Sequence, residues 1–134
     1  MPVVIDSSVA ACWLMPDEFS EVANSALEIV SAEGMLVPPL FWYELRNVLL
    51  VNERRGRIAP AQIEQGLMRI GDIPCMIDVS VVEHVLFSLA RTFSLTVYDG
   101  AYLEIAVRTP STLATLDRRL ASAAKSAGVQ VLSA

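Results

Sequence analysis

Val3-Val4-Ile5-Asp6-Ser7-Ser8-Val9 decides how the chain is read. Val3-Val4-Ile5 is an unbroken β-branched run, the pattern of a short buried strand. The run stops at an acid, and Ser7 or Ser8 can cap a short helix that reaches about Leu14. The alternation continues downstream. Pro16-Asp17-Glu18 reads as a turn before a helix to about Ala32, with Val22, Ala26, Ile29 and Val30 on one face and Gly34 as its stop. Met35-Leu36-Val37 reads as a second strand, and Pro38-Pro39 as a break before a helix from Leu40 to about Arg55. Pro60 begins a helix to about Ile70, and Cys75-Met76-Ile77 is a third strand. Ser80 is positioned to cap a helix through Phe93, and Asp99 opens another to about Arg108. Leu113-Ala114-Thr115 is a fourth strand, Asp117 to Ala127 a helix, and Gln130-Val131-Leu132 a last strand. Short apolar strands alternating with helices predict an α/β domain with a mainly parallel sheet.

Composition agrees. Apolar residues make up 54% of the 134, which suits a sheet covered by helices on both faces. No repeat or linker divides residues 1–134, so one domain is expected. No apolar run approaches the ~18 residues of a membrane span. The N-terminal residues meet Asp6 without a basic stretch, unlike a signal peptide. Cys12 and Cys75 lack zinc-site spacing and read as small buried hydrophobes. A cytoplasmic protein is expected.

The formal net charge is −5, and it is unevenly spread. Residues 1–45 carry seven acids and no Lys or Arg, whereas residues 46–134 carry ten bases and eight acids. Nine of the ten bases are Arg, which pairs with phosphate in a planar, two-pronged way. There is no broad basic surface, so tight nonspecific RNA binding is not expected.

Four acids stand out. Asp6 follows the first strand, Asp117 the fourth, and Asp99 opens a helix after Leu95-Thr96-Val97-Tyr98. In an open parallel sheet, ligands bind beyond the carboxyl ends of the strands, where strand order reverses. Glu44 lies inside a helix, in the apolar segment Phe41-Trp42-Tyr43-Glu44-Leu45, where an acid needs a partner or an edge to solvent. Crowded carboxylates repel one another, and a divalent cation removes the conflict. Oxygen-only ligands favour Mg²⁺ or Mn²⁺. Such a metal can acidify a water and neutralise charge on a phosphate under attack. Taken singly, Asp6, Asp99 and Asp117 also read as helix caps.

Four segments resemble the PIN domain family, and within it the VapC-type toxin ribonucleases of toxin–antitoxin pairs. They are Val4-Ile5-Asp6-Ser7-Ser8-Val9, Glu44-Leu45-Arg46-Asn47-Val48-Leu49, Tyr98-Asp99-Gly100-Ala101-Tyr102-Leu103 and Thr115-Leu116-Asp117-Arg118-Arg119-Leu120. Their order and spacing fit across nearly the whole chain. The resemblance implies a five-stranded parallel sheet between helices, Mg²⁺- or Mn²⁺-dependent endoribonuclease activity, a homodimer and an inhibiting antitoxin. It implies that Asp6, Glu44, Asp99 and Asp117 are the metal-site acids, with Ser8, Thr115 and Asn47 in support. On this reading Asp6 and Asp99 are direct ligands, and Glu44 and Asp117 act through water or position the attacking water. Gly100 stands where Ala is usual in the family, which loosens that helix start slightly.

Other residues carry weaker signals. Arg118 and Arg119 can hold RNA phosphates at the pocket rim or form a solvated helix face. Arg54, Arg55 and Arg57 offer a second phosphate contact, although the helix dipole already accounts for the first two. Trp42 and Tyr43 can stack bases, with packing favoured for Trp42. His84 is the only histidine and reads as structural, which excludes a His-pair mechanism. The helices around residues 18–32 and 40–55 are expected to form a groove for an antitoxin segment. A phosphoryl-aspartate enzyme fits poorly, because Asp6-Ser7-Ser8 has no second acid two residues on. A P-loop enzyme is excluded by the lack of a glycine-rich loop ending in Lys and Ser or Thr. The remaining rivals are a scaffold that keeps the acids as caps and a housekeeping RNA-processing nuclease.

Overall fold

The structure is a computed structural model that describes residues 1–132; the last two residues of the expected domain lie outside it. Among the described residues the strands are β1 (Val3–Ile5), β2 (Met35–Val37), β3 (Cys75–Ile77), β4 (Thr112–Ala114) and β5 (Gln130–Leu132). They form one sheet in the order β3-β2-β1-β4-β5, every pair parallel. The helices are α1 (Ser7–Leu14), α2 (Glu21–Glu33), α3 (Leu40–Arg54), α4 (Pro60–Gly71), α5 (Glu83–Phe93), α6 (Val97–Arg108) and α7 (Arg118–Ser126).

All residues of β1 and β2 are buried, although neighbours along a strand face opposite ways. Both faces of the sheet's centre are therefore covered, as their continuous apolar sequence requires. On α3, Phe41, Leu45 and Leu49 recur every four residues and are fully buried. Each such side chain stabilises the fold by about 1.5–3 kcal/mol. Glu44 flanks that stripe and is left half-buried. Gly34 ends α2 at φ 87°, and an added Cβ there would come within 3.0 Å of the Pro74 carbonyl oxygen. Only glycine satisfies both demands.

The chain leaves β1 toward β2 on one side and later returns to β4 on the other. Strand order therefore reverses between β1 and β4. Their register pairs Ile5 with Ala114, and the Asp6 N–H extends the ladder to Ala114 O at 3.1 Å. Asp6 and the Thr115–Asp117 segment thus emerge side by side at the carboxyl ends of the strands.

Several local expectations need correction. Asp6, not Ser7 or Ser8, occupies the N-cap position of α1, and it makes no side-chain cap bond. Helix α5 begins at Glu83, not after a Ser80 cap. The Ser80 N–H is instead drawn to Asp78 Oδ1 at 2.9 Å, which holds the preceding residues in a turn. Cys12 is buried, but Cys75 is exposed because β3 is an edge strand. Gly100 does more than weaken a helix start: its missing Cβ lets α6 approach α5, with Leu86 Cδ1 at 3.2 Å from where that atom would lie.

Candidate active site

Asp6 is buried and held mainly through one oxygen. Its Oδ2 accepts from Ser8 Oγ at 2.8 Å and from Thr115 Oγ1 at 2.6 Å. Its Oδ1 receives only a long contact from Ser7 Oγ, at 3.5 Å. Thr115 Oγ1 also accepts the Asp117 N–H, and Ser8 Oγ the Leu116 N–H, each at 3.0 Å. These two hydroxyls stitch the end of β4 to the start of α1. Asp117 caps α7: its Oδ1 accepts the Arg119 and Leu120 N–H groups at 2.8 and 3.2 Å. Asp99 lies in the first turn of α6, whose cap is Thr96.

Glu44 reaches this group from α3. Its Oε1 accepts from Tyr102 Oη at 2.6 Å and from Ser7 Oγ at 3.3 Å. Glu44 Oε2 and Asp117 Oδ2 accept no hydrogen bond among the described residues. No buried side-chain oxygen there lacks a partner, so both open to solvent. Glu44 and Asp117 therefore each have one oxygen anchored and one free.

The acids feel one another's charge. Burial pushes the Glu44 carboxyl above its ordinary range; Tyr102 and Ser7 oppose that rise, and the charges of Asp6 and Asp99 add to it. Asp99 is also raised, first by burial, then by Asp117 and Asp6, against weaker opposition from Thr96 and Arg119. These couplings link all four predicted acids. No ion pair among the described residues involves any of them.

An unbalanced, all-oxygen site at a sheet's switch point fits a hydrated Mg²⁺ or Mn²⁺. Among the described residues no three His, Cys, Asp or Glu lie close enough to enclose an ion. Mg²⁺ does not need such a cage, since it usually keeps several waters and takes one or two carboxylates.

The other sequence candidates are scattered. Asn47 is exposed on α3 and makes no side-chain hydrogen bond to the acids among the described residues. Arg118 is exposed, while Arg119 Nη2 donates to Ser94 O at 2.7 Å. Arg57 is not free for phosphate: it pairs with Asp17 and Glu18 and donates to Asn52. Trp42 packs edge-on against Phe41 beneath Arg46, whereas Tyr43 is 78% exposed. His84 is exposed, so it is no core residue. One apolar hollow beside α2 is lined from α1, α2 and α4, including Trp13, Leu27 and Ile70. Sequence reading missed Ser7 and Tyr102 as partners of Glu44. Tyr102 lay within a quoted motif, and a buried tyrosine hydroxyl demands a partner.

An acidic site at the switch point of a parallel α/β sheet narrows the class, and comparison with known proteins completes it. The chain belongs to the PIN domain family, whose model matches residues 3–126 and so spans all four acids. Ribonuclease VapC3 from Pyrobaculum aerophilum is 33% identical over 124 residues, which cover 90% of this chain and 93% of that protein. The crystal structure of PAE2754 from Pyrobaculum aerophilum matches with a TM-score of 0.73 at 23% identity, over 98% of this chain and 91% of that one. That second likeness speaks for the fold.

Proposed function

We propose that the chain is a Mg²⁺- or Mn²⁺-dependent endoribonuclease and the toxin of a toxin–antitoxin pair. The observation that carries the reading is the gathering of four acids at the switch point, where burial and neighbouring carboxylates push Glu44 and Asp99 up and no ion pair among the described residues involves any of the four. Kinship with a protein named as a ribonuclease supplies the substrate class.

Asp6 and Asp99 would hold the cation, and Glu44 and Asp117 would complete the site through their free oxygens. Bound there, the cation supplies positive charge for a scissile phosphate and lowers the pKa of water. The chain's own residues do the rest. Thr115 and Ser8 fix Asp6, and the first turn of α7 fixes Asp117. Glu44 or Asp117 then orients the attacking water and accepts its proton. Arg118 meets RNA at the rim. The partners are RNA, an antitoxin protein and a second copy of the chain, in the cytoplasm. No helix among the described residues is long and apolar enough to cross a membrane.

The test is induction of wild type and Asp6→Asn in separate cultures, followed by mapping of new RNA 5′ ends. Wild type is expected to create discrete ends that the variant lacks, and purified wild type to lose cleavage in EDTA and recover it with Mn²⁺. Growth arrest without new ends would defeat the nuclease reading. Full cleavage by Asp6→Asn would defeat the site.

A further inference from the structure

Tyr102 is fully buried on α6, among aliphatic side chains that a phenylalanine would satisfy equally well. Its hydroxyl has one acceptor, Oε1 of Glu44, 58 residues away in sequence. Ser7 Oγ donates to that same oxygen, from the first residue of α1. Every hydrogen bond that Glu44 receives among the described residues therefore falls on Oε1, and Oε2 is left unpaired and not fully enclosed. The short bond from Tyr102 fixes the rotation of the carboxylate, and Ser7, whose one proton is shared between this oxygen and Asp6 Oδ1, adds a weaker hold from a second helix.

The nature of the donors matters as much as their number. Glu104, two residues on along the same helix, is held by the guanidinium of Arg108 at 2.6 Å. A guanidinium at Glu44 would fix the carboxylate equally well, but it would spend the negative charge that a cation needs. A phenol and an alcohol orient the group and leave its charge intact.

We propose that Tyr102 is a positioning residue, which with Ser7 holds Oε1 of Glu44 so that Oε2 is presented to the metal and its water. The inference rests on the metal-dependent reading above and names the side chains that prepare the site before the cation arrives.

The test is Mn²⁺ binding to metal-free protein, followed by calorimetry and by the electron paramagnetic resonance signal of free Mn²⁺. Tyr102→Phe keeps the buried ring, so its melting temperature is expected within a few degrees of wild type. Its Mn²⁺ affinity is expected to fall about 10-fold, the usual scale for losing a group that orients a ligand. On a short RNA, kcat falls by a similar factor while KM stays within about twofold. Ser7→Ala removes the longer bond and is expected to give a smaller loss in the same direction. In a Glu44→Gln background, Tyr102→Phe should cost less than about twofold more, because both changes break one interaction. Wild-type affinity in Tyr102→Phe would overturn the proposal, as would an undiminished loss in the Glu44→Gln background. Saturable Mn²⁺ binding by wild type in those cases would leave the metal reading standing. Wild type that binds no Mn²⁺ would overturn both.

Discussion

Among the described residues, α6 contributes to two acidic groups. One is the set formed by Asp6, Glu44, Asp99 and Asp117. The other joins Asp78, just after β3, to Glu104 through Arg108. Glu104 is 1% exposed, more deeply buried than any acid of the first group. Yet its guanidinium partner makes bonds of 2.6 and 3.0 Å to it and bonds of 2.9 and 3.1 Å to Asp78. Arg108 holds the Asp78 carboxyl below the usual range. In the first group the donors are hydroxyls and peptide N–H groups, and Glu44 and Asp99 are pushed up. Burial alone therefore does not separate the two groups; the presence or absence of a fixed counter-charge does.

The largest effect that would sharpen this contrast is structural. Arg108→Ala strands Glu104 and Asp78 without a cation, and should cost about 3–5 kcal/mol in urea unfolding. A cost below 1 kcal/mol would mean that the triad does not hold the fold. In the other group the effect should be catalytic. Asp99→Asn is expected to lower RNA cleavage at least about 100-fold, worth about 2.7 kcal/mol of transition-state stabilisation, with the fold intact. Full activity would remove Asp99 from the site.

Ligand linkage gives a third and smaller difference. Mn²⁺ at about ten times its dissociation constant should stabilise wild type by about 1.4 kcal/mol. Asp6→Asn should lose most of that gain, whereas Asp78→Asn should keep it. The smallest effect is on pH dependence. Glu44 and Asp99 have raised folded pKa values, so in metal-free protein their ionisation costs stability as pH rises through those values. Below the ordinary carboxylate pKa of ~4 that cost vanishes. Metal-free Asp99→Asn should therefore be more stable than wild type at pH 7, and the gap should close near pH 4. Asp78 behaves oppositely: its contribution is full above ~4 and is lost as pH falls through its lowered folded value. Denaturant midpoints measured across pH 3–8 would separate the two signs.

The contrast also explains what sequence could and could not reveal. Strands β1, β2, β3 and β5 were legible to the residue, because short β-branched or apolar runs between breakers have few other readings. Asp6 and Asp117 were legible from their place just beyond strands. Glu44 drew notice because its neighbours are apolar. By the same rule Glu104, in Tyr102-Leu103-Glu104-Ile105, was an equal candidate, and the one local sign against it is Arg108 four residues on, where Glu44 has Val48. Its partners are Arg108, one turn away, and the Val82 N–H, and Asp78 shares the same guanidinium only through the tertiary fold. The exposure of Cys75 was hidden for a related reason, since strand order is a property of the whole sheet. The start of α5 was misread because the Asp78 side chain competes for the Ser80 amide, a choice that propensity does not register.

Strand β3 ends the sheet with a bare row of amides on three mostly apolar residues, all exposed. Such a border invites a foreign chain to extend it. Pro74 immediately before it has no N–H to offer, and Asp78 immediately after it turns the chain away through its bonds to Arg108 and the Ser80 N–H. An intruding strand would find only a three-residue foothold. The protein's colloidal behaviour at high concentration should then depend on these two sentinels: replacing Pro74 by Val is a direct route to clumping that leaves the acidic pocket untouched.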